Sequence, residues 1–256
     1  MTRIFAISDL HVDYRQNAEW VMDLSRSDFT NDVLILAGDL SDNLERIERS
    51  INALSERFRQ VLYVPGNHDL WVLRDKDIAS SFEQFDRVRA AVDSGGGSMK
   101  AYRSGSTTIV PLFGWYDYSF GEPSQELRRR WMDYRACRWP DETTDRQVTE
   151  HFTGLNEPVE QPSTPLVISF SHFMPRLDLM PSFAPHKAKF LFPILGSALL
   201  DAQIRRTGSS LHIYGHSHVN RRALRDGILY VNNAFGYPSE ARFAAKKLMC
   251  VHEDRG

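Results

Sequence analysis

Cysteine is scarce in this 256-residue chain, which carries only Cys137 and Cys250. Two thiols cannot build a disulfide scaffold or a cysteine-based zinc site, so the fold must rest on buried apolar surface. Both cysteines read as reduced thiols of a cytoplasmic protein. Long hydrophobic runs are missing as well, and none approaches the roughly 20 residues of a membrane span. The opening MTRIFAISDLH meets its first aspartate too early for the apolar region of a secretory leader. Neither sign of charge prevails: 31 Lys and Arg face 33 Asp and Glu, for a net charge of -2. No strong basic field therefore draws the chain to nucleic acid or to an anionic membrane, although a local basic patch could still bind anions. Internal repeats and low-complexity tracts are also wanting.

What is present reads as alternating strands and helices. Arg3–Ser8, Val33–Ala37 and Gln60–Val64 are short apolar runs of the kind buried on both faces. Between them, 17–27 and 43–58 have helical character; in the latter Leu44, Ile47, Ile51, Leu54 and Phe58 recur at helical spacing. A further helix is predicted over Ile78–Val92, stopped by Gly95-Gly96-Gly97. This succession implies right-handed crossovers and a largely parallel sheet. Hairpin strands follow at 100–110, a helix near 125–134, and a strand at Leu166–Phe170. A helix is then predicted near 197–206, with strands at Leu211–Tyr214, Arg221–Leu224, Ile228–Asn232 and 247–252. Asp226-Gly227 marks a tight hairpin. The expected whole is one α/β domain over residues 1–256, with two sheets face to face and helices outside.

Five polar segments follow strand-like runs directly: Asp9-Leu10-His11, Gly38-Asp39, Gly66-Asn67-His68-Asp69, Ser171-His172 and Gly215-His216-Ser217-His218. Strand ends of α/β sheets are where ligands bind. Carboxylate, imidazole and amide donors without a thiolate suit hard to borderline divalent cations. In extended backbone, residues two apart point the same way, so Asp9 with His11, and His216 with His218, can each offer a pair of donors. Glycine at 38, 66 and 215 lets backbone pass close to the site.

These segments, in this order, resemble the calcineurin-like metallophosphoesterase superfamily, whose pattern is D-x-H, G-D, G-N-H-[DE], H and G-H-x-H. The resemblance runs from Asp9 to His218 and implies a four-layer β-sandwich flanked by helices. It implies that Asp9, His11 and His218 hold one metal, that Asn67, His172 and His216 hold a second, and that Asp39 bridges them. The ions would be two divalent metals drawn from Mn, Fe, Zn or Mg. His68 would act as general acid, and Asp69 would fix its ring and favour its charged form. The implied activity is hydrolysis of a phosphomonoester or phosphodiester in a small, phosphorylated, nucleotide-like substrate. Other readings from the resemblance are a protein phosphatase, a nuclease, or a metal-binding scaffold without chemistry; the neutral charge disfavours the nuclease, and retention of His68 disfavours the scaffold.

Residues 114–160 stand apart. Trp115, Tyr116, Tyr118, Phe120, Trp131, Tyr134 and Trp139 are interleaved there with Arg128, Arg129, Arg130, Arg135 and Arg138. The segment reads either as a cap that stacks on a ring and pairs with phosphate, or as an insertion with a small core of its own and solvated arginines. Asp117 is a candidate for the pocket, and Arg176, four residues after His172, for contact with substrate phosphate. Asp42 is read as a helix N-cap. His151, His186, His212 and His252 are taken as structural or exposed.

Overall fold

The computed structural model describes residues 1–75, 77–156, 164–182, 189–242, 244 and 246–254. One sheet contains β1 (Thr2–Ile7), β2 (Val33–Ala37) and β3 (Gln60–Val64), all parallel, with β10 (Met249–Asp254) antiparallel at its edge in the order β10-β1-β2-β3. The other contains β4 (Tyr102–Ser104), β5 (Thr107–Pro111), β6 (Leu166–Phe170), β7 (Leu211–Tyr214), β8 (Arg221–Arg225) and β9 (Ile228–Asn232), in the order β4-β5-β6-β7-β9-β8. Its four central strands are parallel and its two edges antiparallel.

Alternation along each strand explains the layering. Ile4 and Ala6 point inward with Val33, Ile35, Leu62 and Val64, and meet Ile109, Ile168, Phe170, Ile213 and Val231 of the second sheet. Their neighbours Phe5, Ile7, Leu34, Leu36, Val61 and Tyr63 point outward into a second cluster with helix residues such as Val21, Ile47, Ile51, Phe85 and Val88. Successive residues face opposite sides of a strand, and here both sides are covered, so no polar residue interrupts the run. The expected two-sheet sandwich flanked by helices is the observed architecture.

The helices are α1 (Arg15–Asp23), α2 (Leu44–Ser55), α3 (Ser81–Ser94), α4 (Gln125–Arg130), α5 (Asp133–Ala136), α6 (Asp145–Gly154) and α7 (Ala198–Arg206). The N-cap of α2 is Asn43, which accepts from the Arg46 N–H at 3.0 Å. Asp42 is not a cap; it accepts from Arg74 at 2.7 Å. Helix α3 starts later than predicted because Ser80 caps it by accepting from the Glu83 N–H at 3.2 Å. At the β8–β9 hairpin, Asp226 and Gly227 both take positive φ, +47° and +84°, as the tight turn requires. Among the described residues no helix is long and apolar enough to cross a membrane.

Within 114–156, the aromatic segment does not form a small core of its own. Trp115, Tyr116, Leu127, Val148 and Phe152 are buried in the main outer cluster. Trp115 stands edge-on to Trp139 and to Phe173, with ring centroids 5.2 and 5.0 Å away. Arg128 lies over the Tyr118 and Tyr134 rings, and Arg138 donates to the Ile78 carbonyl at 2.9 Å. The segment shares the domain's core because its rings meet those of α3 and of Phe173, just after β6. Residues 157–160 of the segment, and His186, lie outside the described residues. His151 rests on Phe82, centroids 4.2 Å apart; His212 is buried between the Ser169 and Ser171 hydroxyls.

Replacing Trp115 by Ala should lower stability by about 3–5 kcal/mol. Urea denaturation should show this as one cooperative transition shifted as a whole. An unshifted main transition with a separate small one lost would mark the segment as an independent unit.

Candidate metal centre

All five polar segments sit at the carboxyl ends of strands: Asp9 after β1, Asp39 after β2, Asn67 after β3, His172 after β6 and His216 after β7. The sheets are stitched together at this end. The Ser8 N–H donates to the Asn233 carbonyl at 3.1 Å, and the Phe235 N–H to the Ser8 carbonyl at 2.8 Å.

Local backbone differs from the extended form expected. Asp9, His11, Asp39, His216 and His218 have φ of +55°, +40°, +56°, +65° and +51°. Non-glycine residues rarely adopt this left-handed region, and clusters of it mark functional sites held by the surrounding structure. The turns fold Asp9 and His11 onto a common point and send His216 and His218 to different ones. The glycine expectation holds: a Cβ at Gly66 would meet Asp39 and come within 2.7 Å of the His172 ring, and one at Gly215 would lie 2.8 Å from the Ala37 carbonyl.

Donor atoms of Asp9, His11 and His218 lie within 4.8 Å of one another, and so do those of Asp39, His172 and His216. In the first set, His218 Nε2 is 3.2 Å from Asp9 Oδ1 and 3.3 Å from His11 Nε2. In the second, His172 Nε2 is 3.1 Å from His216 Nδ1 and 3.2 Å from Asn67 Oδ1. Asp39 stands between them. Its Oδ1 accepts from the His68 backbone N–H at 3.0 Å. Its Oδ2 is 3.5 Å from His172 Nε2 and 3.9 Å from His11 Nε2.

Outer contacts decide which ring nitrogen is available. His172 Nδ1 donates to the Ala37 carbonyl at 3.0 Å, His216 Nε2 to the Ile194 carbonyl at 3.0 Å, and His218 Nδ1 to Glu240 at 2.7 Å. Carbonyl oxygens only accept, so in His172 and His216 the proton sits on the outer nitrogen and the lone pair of the inner one faces the cluster; His218, with a carboxylate on each side, would give up its inner proton on binding a cation. Burial drives His11, His172 and His216 below the ordinary imidazole range, with His68 adding to the effect at His11 and His172 adding to it at His216. Neutral imidazole is the metal-binding form. Burial opposes ionisation of Asp9, but attraction to His218 prevails and holds its carboxyl well below the usual range. His218 is correspondingly raised to about 10, against burial, by Asp9 and Glu240. Burial, then the charges of Asp69 and Asp9, push Asp39 well above the usual carboxylate range. Inward lone pairs and crowded carboxylates fit a pair of divalent cations.

His68 faces the same space, its Nε2 4.0 Å from Asp39 Oδ2. Its ring stacks on Trp71, centroids 3.8 Å apart. The expected partnership with Asp69 is not found. Asp69 instead accepts from the backbone N–H groups of Asp39, Leu40, Ser41 and Gly66 at 2.7–3.0 Å. It buttresses the loops that carry Asp39 and Asn67, because four converging N–H groups saturate both its oxygens. Burial and the neighbouring rings of His172 and His218 push His68 down to about 3, so the pocket alone does not favour its charged form. The two substrate candidates are engaged elsewhere. Arg176 is tied to Asp178 at 2.9 Å, Asp226 at 2.7 Å and Asp201 at 3.6 Å, a carboxylate cluster that neutralises it. Asp117 accepts from the Ser197 hydroxyl at 2.7 Å and the Ser119 N–H at 3.0 Å, as a turn residue does.

Three residues went unread in the sequence. Glu240 holds His218. Tyr237 stacks on His11, centroids 4.4 Å apart, and its hydroxyl lies 3.4 Å from His68 Nε2. Asp133 accepts from the side-chain amide of Asn67 at 2.9 Å. Each lies far along the chain from its partner and outside any spaced motif, so only folding brings the pairs together.

Comparison with known proteins agrees with this fold. An acyl-carrier-protein phosphodiesterase, PptH, of Mycobacterium tuberculosis is 27% identical over 263 residues, covering 93% of this chain and 79% of the relative. The crystal structure of phosphopantetheinyl hydrolase (PptH) from the same organism superposes with a TM-score of 0.74 at 24% identity, covering 99% of this chain and 97% of that one. The family model for calcineurin-like phosphoesterases matches residues 2–220, and this chain therefore belongs to the calcineurin-like phosphoesterase family.

Proposed function

We propose that this protein is a two-metal phosphodiesterase that cleaves the phosphodiester joining a phosphopantetheine arm to a carrier protein. As a calcineurin-like phosphoesterase it is a hydrolase of phosphoric ester bonds. The observation that carries the two-metal reading is the place of Asp39, whose free oxygen faces a donor of each set at 3.9 and 3.5 Å. Asp9, His11 and His218 would hold one cation, Asn67, His172 and His216 the other, with Asp39 between. Mn, Fe, Zn and Mg all accept such donors. When bound, the cations offset phosphoryl charge and lower the pKa of water to supply a nucleophile near neutral pH.

The chain's own residues do the rest. His68 presents Nε2 beside Asp39 and on the Trp71 face, where it can hydrogen-bond or protonate the departing oxygen. An anionic phosphate beside the ring favours its charged form, which burial and the neighbouring histidines do not. Tyr237 stays protonated, since burial and the charges of Asp39 and Asp9 push its hydroxyl up. It therefore donates toward the same oxygen. The choice of substrate draws on the name of the M. tuberculosis relative. It also suits the exposure gradient: the His68 and His218 side chains are 18% and 15% exposed, whereas those of Asp39 and His172 are 3% and 0%. A site open on one face can receive an arm borne on a larger partner. This proposal differs from the small, nucleotide-like ester expected from the sequence in tethering the ester to a protein.

His68→Ala should keep its metals and lose about 10²–10⁴-fold in rate on esters with poor leaving groups, and less on nitrophenyl esters. Equal losses on both would remove the acid role. Chelation should abolish turnover, and Asp39→Ala should fail to regain two equivalents of Mn²⁺ by metal analysis; full recovery would contradict the bridging assignment. Mass spectrometry of a phosphopantetheinylated carrier protein incubated with Mn²⁺-loaded enzyme should show loss of the arm. Turnover of nucleotides or simple monoesters, with the carrier untouched, would overturn the substrate assignment.

A further inference from the structure

We propose that Asp133 is a positioning residue of the metal centre, and that the aromatic segment is retained to deliver it. Three donors converge on this one buried carboxylate. The Asn67 amide donates to Oδ1 at 2.9 Å, the Trp71 indole to Oδ1 at 2.8 Å and the Trp131 indole to Oδ2 at 2.7 Å. The two ends of an Asn side chain have nearly the same shape but opposite polarity. An acceptor-only neighbour settles which end points where: Nδ2 must face Asp133, so Oδ1 faces His172 Nε2. A flipped Asn67 would turn its N–H groups toward a cation and its oxygen toward the Asp133 carboxylate, losing both interactions.

The two indoles extend the effect. Trp71 is the surface on which His68 stacks, and Trp131 stands edge-on to His216 with centroids 6.0 Å apart. One carboxylate thus fixes a ligand from the first sheet, the seat of His68 and the wall beside a ligand from the second sheet. Its own position is fixed by backbone. Helix α5 is tied to the strand-end loop by the Val72 N–H on the Ala136 carbonyl at 2.8 Å. The chain just after α5 is tied to α3 by the Ser81 N–H on the Arg138 carbonyl at 2.7 Å. Such outer partners typically contribute about 10–100-fold to metal affinity or activity. The inference rests on the two-metal reading.

The test is Mn²⁺ binding to the full chain, measured by competition with a fluorescent chelator. Asp133→Ala should weaken one of two binding steps about 10–100-fold and leave the other unchanged. Asp133→Asn keeps the volume and one acceptor, so it should fall between and guard against misfolding of the alanine variant. In an Asn67→Ala background, where the amide oxygen is already gone, adding Asp133→Ala should cost no further Mn²⁺ affinity. Additive losses, equal weakening of both steps, or wild-type affinity in a folded Asp133→Ala chain would each overturn the proposal. A wild-type chain that binds no Mn²⁺ would overturn the two-metal reading first and this one with it.

Discussion

The structure depends on the mutual repulsion of groups crowded around the Asp39 carboxylate. Carboxylates at 9, 39 and 69 and imidazoles at 11, 172 and 216 are buried together, with those at 68 and 218 at the partly exposed rim. Burial alone disfavours every charge placed there. The chain tolerates this because these groups are held from behind, Asp39 by the His68 backbone, Asp69 by four N–H groups, His172 and His216 by carbonyls, His218 by Glu240, and His11 and His68 by the rings of Tyr237 and Trp71. Left-handed backbone at five donor positions is a further cost, of order 1–3 kcal/mol each. Two well-packed sheets must supply the stability that offsets it.

Legibility in the sequence followed burial. Strands β2, β3, β6, β7 and β9 were readable to the residue, because strands covered on both faces are mostly apolar, interrupted here only by buried polar residues such as Ser169 and His212. Helix α6 escaped notice: only Val148 and Phe152 give it a large apolar stripe, and its capping box, Thr144 with Gln147, is a short polar signal. The donor segments stood out because they are polar residues directly after such runs. Their orientation was misread, since spacing two apart implies a shared direction only in extended backbone. Donors after a strand turn sharply, and that is what separates His216 from His218.

Support for the donors was the least legible layer. His172 and His216 lean on main-chain carbonyls, which every residue has and no motif announces. Glu240, Tyr237 and Asp133 are ordinary residue types at unremarked positions. Arg176 illustrates the converse. Its place near a histidine motif suggested phosphate recognition, yet three acidic side chains from separate parts of the chain claim it. Proximity in sequence to a site says little about a long cationic side chain that can reach several partners.

The division of donors between the sheets has a mechanical consequence. Asp9, His11, Asp39 and Asn67 come from the first sheet, and His172, His216 and His218 from the second. Each prospective ion would take donors from both, so it would rivet one layer to the other at the end where only a few main-chain bonds do so now. In a chain with two unpaired thiols, the cations would serve as its covalent-like cross-links, and the grip between the layers would vary with metal supply.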